Sequence, residues 1–228
     1  MLDISNTAIS NIDNLAGASV TFLGASSMRS LFATGNAIGA IAKITALTSV
    51  TLNNNALNNW PFAFKALPQL ATLSLSGCGI SAMPAQAAIY PPALKNLIAS
   101  YNAIQVLPVQ VFQFTQLQTL DMSYNKLSGS LPVSTAPGVL SLANLVNLRS
   151  LILGGNAFTG VIPAGLTKLT QLTVMDLSNN QLTGSAINGT LPWYCTIPSQ
   201  CGCSLNNNPF KCPLFAWMSQ VCQATCTI

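Results

Sequence analysis

Leu117-Gln118-Thr119-Leu120-Asp121-Met122-Ser123-Tyr124-Asn125-Lys126-Leu127-Ser128-Gly129-Ser130-Leu131-Pro132 is the stretch that decides the fold of this chain. Its apolar residues follow the pattern L-x-x-L-x-L-x-x-N-x-L through Leu117, Leu120, Met122, Asn125 and Leu127. The L-x-L core is a short strand whose alternate side chains point to one side. The asparagine stands where the chain turns off that strand, and its amide can serve backbone groups of a neighbouring segment. Outward from this stretch the pattern returns. Towards the C-terminus it runs through Leu148, Leu151, Leu153, Asn156 and Phe158, then Leu172, Met175, Leu177, Asn180 and Leu182. Towards the N-terminus it runs through Leu94, Leu97, Ala99, Asn102 and Ile104, then Leu70, Leu73, Leu75, Cys78 and Ile80, then Leu47, Val50, Leu52, Asn55 and Leu57. Met28, Leu31, Ala33, Asn36 and Ile38 fit a further copy, Leu2, Ile4, Thr7 and Ile9 a partial one, and Cys203, Leu205, Asn208 and Phe210 a modified last one.

Self-similarity at a period near 24 residues means stacked coils, none of which can bury its leucines alone. The recurring position of Asn36, Asn55, Cys78, Asn102, Asn125, Asn156, Asn180 and Asn208 predicts an internal hydrogen-bond ladder. At Cys78 a thiol, small and a weak donor, fits the buried slot; with no histidine in the chain, nothing would activate it as a nucleophile. With strands about 4.8 Å apart, nine coils stack to roughly 40 Å.

This pattern resembles the leucine-rich-repeat family over nearly the whole chain. The resemblance implies an α/β-type solenoid: a right-handed superhelix with a parallel β-sheet on its concave face and loops, short strands and 3-10 or short helices on its convex face. Later repeats carry a further element, Leu127-Ser128-Gly129-Ser130-Leu131-Pro132, Phe158-Thr159-Gly160-Val161-Ile162-Pro163 and Leu182-Thr183-Gly184, followed by Asn188-Gly189-Thr190-Leu191-Pro192. It is similar to the L-x-G-x-(I/L)-P element of plant-type repeats, in which a second short strand forms beside the first. Earlier repeats keep the proline and lose the glycine (Trp60-Pro61, Met83-Pro84, Leu107-Pro108), so no second sheet is expected before about residue 115. An excess around 133–140, turning at Pro137-Gly138, is expected to bulge from one face.

Six of the seven cysteines crowd between Cys195 and Cys226: Cys195, Cys201, Cys203, Cys212, Cys222 and Cys226. Such a cluster reads as a disulfide framework of undetermined pairing in an oxidising compartment. Thiolate-only zinc would want two CxxC-like pairs, which the spacings do not offer. The run Cys203-Ser204-Leu205-Asn206-Asn207-Asn208-Pro209-Phe210-Lys211-Cys212-Pro213 resembles the cysteine-bearing end of extracellular leucine-rich-repeat proteins. The expected organisation is therefore a solenoid over 1–192 and a disulfide-rich cap over 193–228, with Cys203 buried and Trp193, Phe210, Phe215 and Trp217 covering the last coil. No comparable cap stands at the N-terminus, which reads as trimmed or incomplete.

The chain of 228 residues has eight Lys or Arg, four Asp, and no Glu or His. A soluble domain ordinarily carries about a quarter charged residues, so this neutral surface is expected to bear glycans or to touch a partner. The cations are scattered, against nucleic acid, and no apolar run is long and unbroken enough for a transmembrane segment. Asn188-Gly189-Thr190 is a sequon for N-glycosylation.

The residues around each L-x-L should line the concave face, rich in hydroxyls and amides. Its candidate ligand contacts are Tyr101, Tyr124, Asp121, Ser123, Ser100 and Asp176, on a face whose many neutral donors beside aromatic rings suit a protein or a glycan. Asp121 and Asp176 share a register two repeats apart, about 10 Å by strand spacing. Paired carboxylates can hydrolyse glycosides, but Asp in L-D-x-S is a common family residue that orients neighbouring backbone. Two such groups are too few for Ca²⁺, and a serine–histidine pair is impossible without histidine. The expectation is a non-enzymatic extracellular or cell-surface recognition module without cofactor or metal, binding a protein or glycan. The alternative is a structural subunit that assembles with itself, head-to-tail or laterally, into a fibre, coat or wall matrix.

Overall fold

The computed structural model describes residues 1–6, 13–15, 19–28, 37–134, 136–183, 202–211 and 226–227. They fall into two compact units, Met1–Ile104 and Gln105–Ile228.

In the first unit five short strands, β1 (Leu2–Asp3), β2 (Phe22–Gly24), β3 (Ser49–Thr51), β4 (Thr72–Ser74) and β5 (Asn96–Ile98), pair parallel in chain order. Their register puts Leu2, Leu23, Val50, Leu73 and Leu97 in one row. The last four are fully buried, because the middle residue of a three-residue strand points to the face opposite its neighbours. A second inward row, Ile4, Ala25, Leu52, Leu75 and Ala99, follows two residues on. Between strands the chain returns through 3-10 turns η1 (Asp13–Leu15), η2 (Phe62–Ala66) and η3 (Ala87–Ile89) and one short helix, α1 (Ala37–Ile41).

The second coil departs from the sequence reading. Its strand is Phe22–Gly24, with Leu23 and Ala25 inward, and its ladder position is taken by Met28. Residues 29–36 lie outside the described residues. Leu31 stands 19 residues before Val50, too short for a coil that elsewhere takes 21 or more. The apolar run that follows buries Ala37, Ala40 and Ile41, an i, i+3, i+4 spacing that forms a helix and leaves Ile38 half-exposed.

The second unit repeats the scheme with β6 (Thr119–Asp121), β8 (Ser150–Ile152), β10 (Val174–Asp176) and β12 (Gly202–Ser204), again parallel, with Leu120, Leu151, Met175 and Cys203 in one row. Cys203 takes the inward position as expected, yet is half-buried, because β12 has only β10 beside it among the described strands. A second parallel sheet joins β7 (Ser128–Ser130), β9 (Ala157–Gly160) and β11 (Gln181–Leu182). It begins after residue 115, as the sequence predicts. Gly129 and Gly160 hold it at φ +82° and +77°, a left-handed conformation open to glycine. The earlier elements, such as Ile80-Ser81-Ala82-Met83-Pro84, lack that glycine and are one residue shorter. The return segments are η4 (Val109–Gln113), η5 (Leu142–Asn144) and η6 (Ala164–Lys168). Ser141 ties the insertion down: its hydroxyl donates to the Ser134 carbonyl at 3.0 Å and its N–H to Asn144 Oδ1 at 2.8 Å. Farther on, β13 (Phe210–Lys211) pairs with β14 (Cys226–Thr227).

Two buried acids make the fold sensitive to alkali. Tyr90 is packed against Trp60, ring centroids 5.2 Å apart, with its hydroxyl donating to the Pro84 carbonyl at 2.8 Å. Burial pushes its phenol well above the ordinary 10.0, and burial likewise raises the Cys78 thiol above 9.0. Above those ordinary values the unfolded chain releases protons that the folded chain keeps. Stability is therefore complete below pH 9 and falls as pH rises, by up to about 1.4 kcal/mol per pH unit for each group. Urea midpoints from pH 8 to 11 should drop accordingly, and Tyr90→Phe should lose the part of the drop that begins near pH 10. An unchanged profile in Tyr90→Phe refutes this.

Candidate functional site

The strand face is held in place from behind by the asparagine ladder. Asn55 is typical: Nδ2 donates to the Leu52 carbonyl of its own coil and the Ala25 carbonyl of the coil before, both at 2.8 Å, while Oδ1 accepts from the Met28 N–H at 2.6 Å. Asn102 does the same towards Ala99, Leu75, Cys78 and Ile80. In the second unit Asn156, Asn180 and Asn208 repeat it, their Oδ1 atoms accepting from Leu127, Phe158 and Leu182. Asn125 donates to Met122 and Ser123 carbonyls of its own coil.

Cys78 fills half of this role. Its Sγ donates to the Leu52 carbonyl at 3.2 Å, where an asparagine would place Nδ2, but it offers no amide oxygen to the coil before. Cys78→Asn should restore that acceptor and stabilise the chain by about 1 kcal/mol, the net worth of one buried hydrogen bond. A lower urea midpoint would show instead that the slot is too small for the amide.

The residue before each ladder position is left-handed in every described coil. Asn6, Ser27, Asn54, Gly77 and Tyr101 form this column in the first unit, and Tyr124, Gly155, Asn179 and Asn207 in the second. Asparagine, serine and glycine suit φ near +55° to +70°; a bulky ring there is an outlier costing about 1–2 kcal/mol. Tyr101 (φ +54°) and Tyr124 (φ +52°) are nonetheless left-handed, and both are exposed, at 63% and 50%.

On the face of the first unit the polar side chains largely satisfy one another. Ser74 donates to Asn53 Oδ1 at 2.8 Å, Ser76 and Ser100 share a hydroxyl bond of 2.8 Å, and Asn96 reaches Thr72 Oγ1 at 3.0 Å. Ser100 is thus buried, beside the exposed Tyr101.

On the face of the second unit Asp121, Ile152 and Asp176 stand in one row, as expected from sequence. Each aspartate accepts, through Oδ1, both the N–H and the hydroxyl of the serine two residues on. The distances are 3.0 and 2.7 Å for Asp121 with Ser123, and 2.9 and 2.6 Å for Asp176 with Ser178. Ser123 is buried under this bond and is a support for Asp121, not an open contact. Asp3 makes the same backbone bond to Ser5, which lowers its carboxyl below the ordinary value.

Between these rows lie Gly154 and Gly155. A Cβ on Gly154 would stand 2.9 Å from both carboxylate oxygens of Asp176, and one on Gly155 would stand 2.7 Å from Cδ1 of Tyr124. Sequence reading passed over this glycine pair, and over the left-handed column. The doubled asparagines Asn54-Asn55, Asn179-Asn180 and Asn207-Asn208 carry the signal for that column, since asparagine tolerates this conformation.

Cys203 is disulfide-bonded, and Cys78 is a free, buried thiol. Asn36, Asn188, Cys195, Cys201, Cys212 and Cys222 lie outside the described residues, as do Trp193, Phe215 and Trp217; of Cys226 only the backbone is described. Phe210 is fully buried. Among the described residues no three acidic or cysteine side chains converge to hold a metal ion, and no helix is long and apolar enough to cross a membrane.

Comparison with known proteins agrees with this geometry. The Leucine Rich Repeat family model matches residues 116–136, 147–169 and 171–192. These residues carry leucine-rich repeats, and the described coils have the leucine-rich-repeat fold. The chain's later repeats are of the plant type, with the second sheet they imply. Among leucine-rich-repeat relatives, human Podocan-like protein 1 is 34% identical over 60% of this chain and 25% of its own length. Receptor-like protein 32 of Arabidopsis thaliana is 35% identical over 51% of this chain and 13% of its own length. The chain thus spans a quarter or less of these curated relatives. The solved ectodomain of the Arabidopsis receptor kinase HAESA, in complex with an extended IDA peptide hormone, superposes with TM-score 0.71. It does so at 20% identity, over 99% of this chain and 36% of that one. At that identity the likeness establishes the leucine-rich-repeat fold.

Proposed function

We propose that this chain is a non-enzymatic recognition module of the cell exterior that binds a polypeptide along its strand face. The observation that carries the reading is an exposed tyrosine on each unit, Tyr101 on the first and Tyr124 on the second, each in a backbone conformation that disfavours it. Neither is buried as core, and strain of this kind collects where side chains are aimed at ligands. The disulfide at Cys203 supports an oxidising compartment, and the likeness to a peptide-bound receptor ectodomain supports a polypeptide partner. The acid–serine pairs have a structural duty, holding the turns after β6 and β10, which leaves neither Asp121 nor Asp176 poised as a nucleophile or base. The test is selection of a random dodecapeptide display library on the full chain, followed by Ile152→Arg, which plants a long charge in the middle of the face. Binders lost in Ile152→Arg support the reading. A library that yields no binder, or binders indifferent to Ile152→Arg, overturns it.

A second reading, self-assembly, is favoured by one observation. Val106, Val109, Val139, Val146 and Val161 are all exposed, and all sit on the return segments of the second unit around η4, η5 and η6. Exposed apolar side chains that gather on one side mark contact surfaces. Light scattering at micromolar concentration should then show oligomers that Val109→Lys with Val146→Lys dissolves. A monomer in both proteins removes this reading.

A further inference from the structure

We infer that the strand face of the second unit carries a seat for one cationic side chain, an arginine or lysine of the bound polypeptide, over Gly154 and Gly155 between Tyr124 and Asp176. This rests on the strand face being the working surface, and adds the chemistry of what it takes.

Three adjacent coils build the seat. The Tyr124 N–H donates to the Gly154 carbonyl at 2.8 Å, and the Gly155 N–H to the Ser178 carbonyl at 2.9 Å, so the three coils are locked at this level. From one side the Asp176 carboxylate leans over Gly154, with both its oxygens 2.9 Å from where a Cβ would stand. From the other side the Tyr124 ring leans over Gly155, its Cδ1 and Cε1 atoms 2.7 and 2.9 Å from the corresponding point. Carboxylate and ring therefore converge on two consecutive residues without side chains. Any other residue at either glycine would push one of them away, and Gly155 also needs its φ of +69°.

The groups present select a cation. Asp176 Oδ1 is engaged by Ser178, which fixes the carboxylate and leaves Oδ2 with no hydrogen bond from the described residues. Asp121, one coil beyond Ile152 in the same row, adds a second negative charge held in the same way. These are two of only four carboxylate side chains in a chain whose net charge is +4. Among the described residues neither pairs with a lysine or arginine. Arg149 stands in the row of Gln118 and Thr173 at the opening end of β8, and Lys126 follows the ladder asparagine. An aromatic face beside a fixed carboxylate attracts a guanidinium or ammonium group by cation–π and charge-assisted contact together. An acidic side chain would be repelled at the same place.

The test uses ¹⁵N-labelled full chain and two probes, acetyl-arginine amide and its neutral isostere acetyl-citrulline amide. The arginine amide should move the amide signals of Gly154 and Gly155 saturably, and the citrulline amide should not. Asp176→Asn keeps an acceptor for Ser178 and should weaken arginine binding by about tenfold, a typical loss for one charged hydrogen bond. Tyr124→Leu, with the same backbone demand, should weaken it by about threefold. Equal shifts from citrulline amide, or arginine binding unchanged in Asp176→Asn, would overturn the seat. The library peptides separate the two levels. Peptides lost in Ile152→Arg but lacking a required cation overturn the seat and leave the face reading standing. Peptides that avoid the face altogether overturn both.

Discussion

Asn55→Ala is expected to destabilise the chain by about 3 kcal/mol, far more than its loss of a few surface-accessible atoms suggests. Asn55 is 1% exposed and serves three backbone groups. Without it the Ala25 carbonyl and the Met28 N–H lose the bonds that the Asn55 amide makes to them, at about 1–3 kcal/mol each. The Leu52 carbonyl keeps the Cys78 thiol. Asn96→Ala is the matched control, because among the described residues the half-buried Asn96 amide bonds only the Thr72 hydroxyl on the strand face. Its effect should stay within about 0.5 kcal/mol. Urea titrations of the two variants decide the matter: a loss in Asn55→Ala no larger than in Asn96→Ala would show that the ladder contributes little.

Gly155→Val is expected to cost a similar amount, about 3 kcal/mol, by a different route. A β-branched residue at φ +69° is strained by about 1–2 kcal/mol. Its Cβ would also stand 2.7 Å from the Tyr124 ring, so the ring must swing away or the coil must shift, at about 1–3 kcal/mol more. Gly155→Asn should be milder, since asparagine already occupies this column at Asn54, Asn179 and Asn207. The signature of the displaced ring is a change in tyrosine fluorescence and loss of ligand, even in urea-free buffer where the variant is folded. If Gly155→Val matches the parent in both midpoint and binding, the packing of Tyr124 on this glycine is not what holds the ring.

The sequence is most legible where one residue type answers one backbone demand. The asparagines of the ladder, the glycines at 129 and 160, and the inward leucines each mark a position that geometry makes strict. The second coil differs from the sequence reading because Leu31 and Ala33 imitate the pattern, while the strand is Phe22–Gly24, with Leu23 and Ala25 inward and Met28 in the ladder. A three-residue strand has too few side chains to fix its own place. Stacking against Val50 and the grip of Asn55 decide it, and both are long-range. The site is half legible for the same reason. The row of Asp121 and Asp176 follows from period alone, but Ser100 and Ser123 turn out to be buried supports, since their hydroxyls find partners across or along the coil. That Tyr124 and Asp176 converge on Gly154 and Gly155 depends on side-chain directions, which a repeat pattern does not specify.

The most direct test of the central claim is amide hydrogen exchange of the chain with and without a library-selected dodecapeptide. A ligand on the strand face should slow exchange over residues 119–124, 150–155 and 174–179 together, the three adjacent coils that carry Tyr124, the glycine pair and Asp176. Protection confined to η4, η5, η6 and their flanking valines would contradict the account and make the return side the working surface.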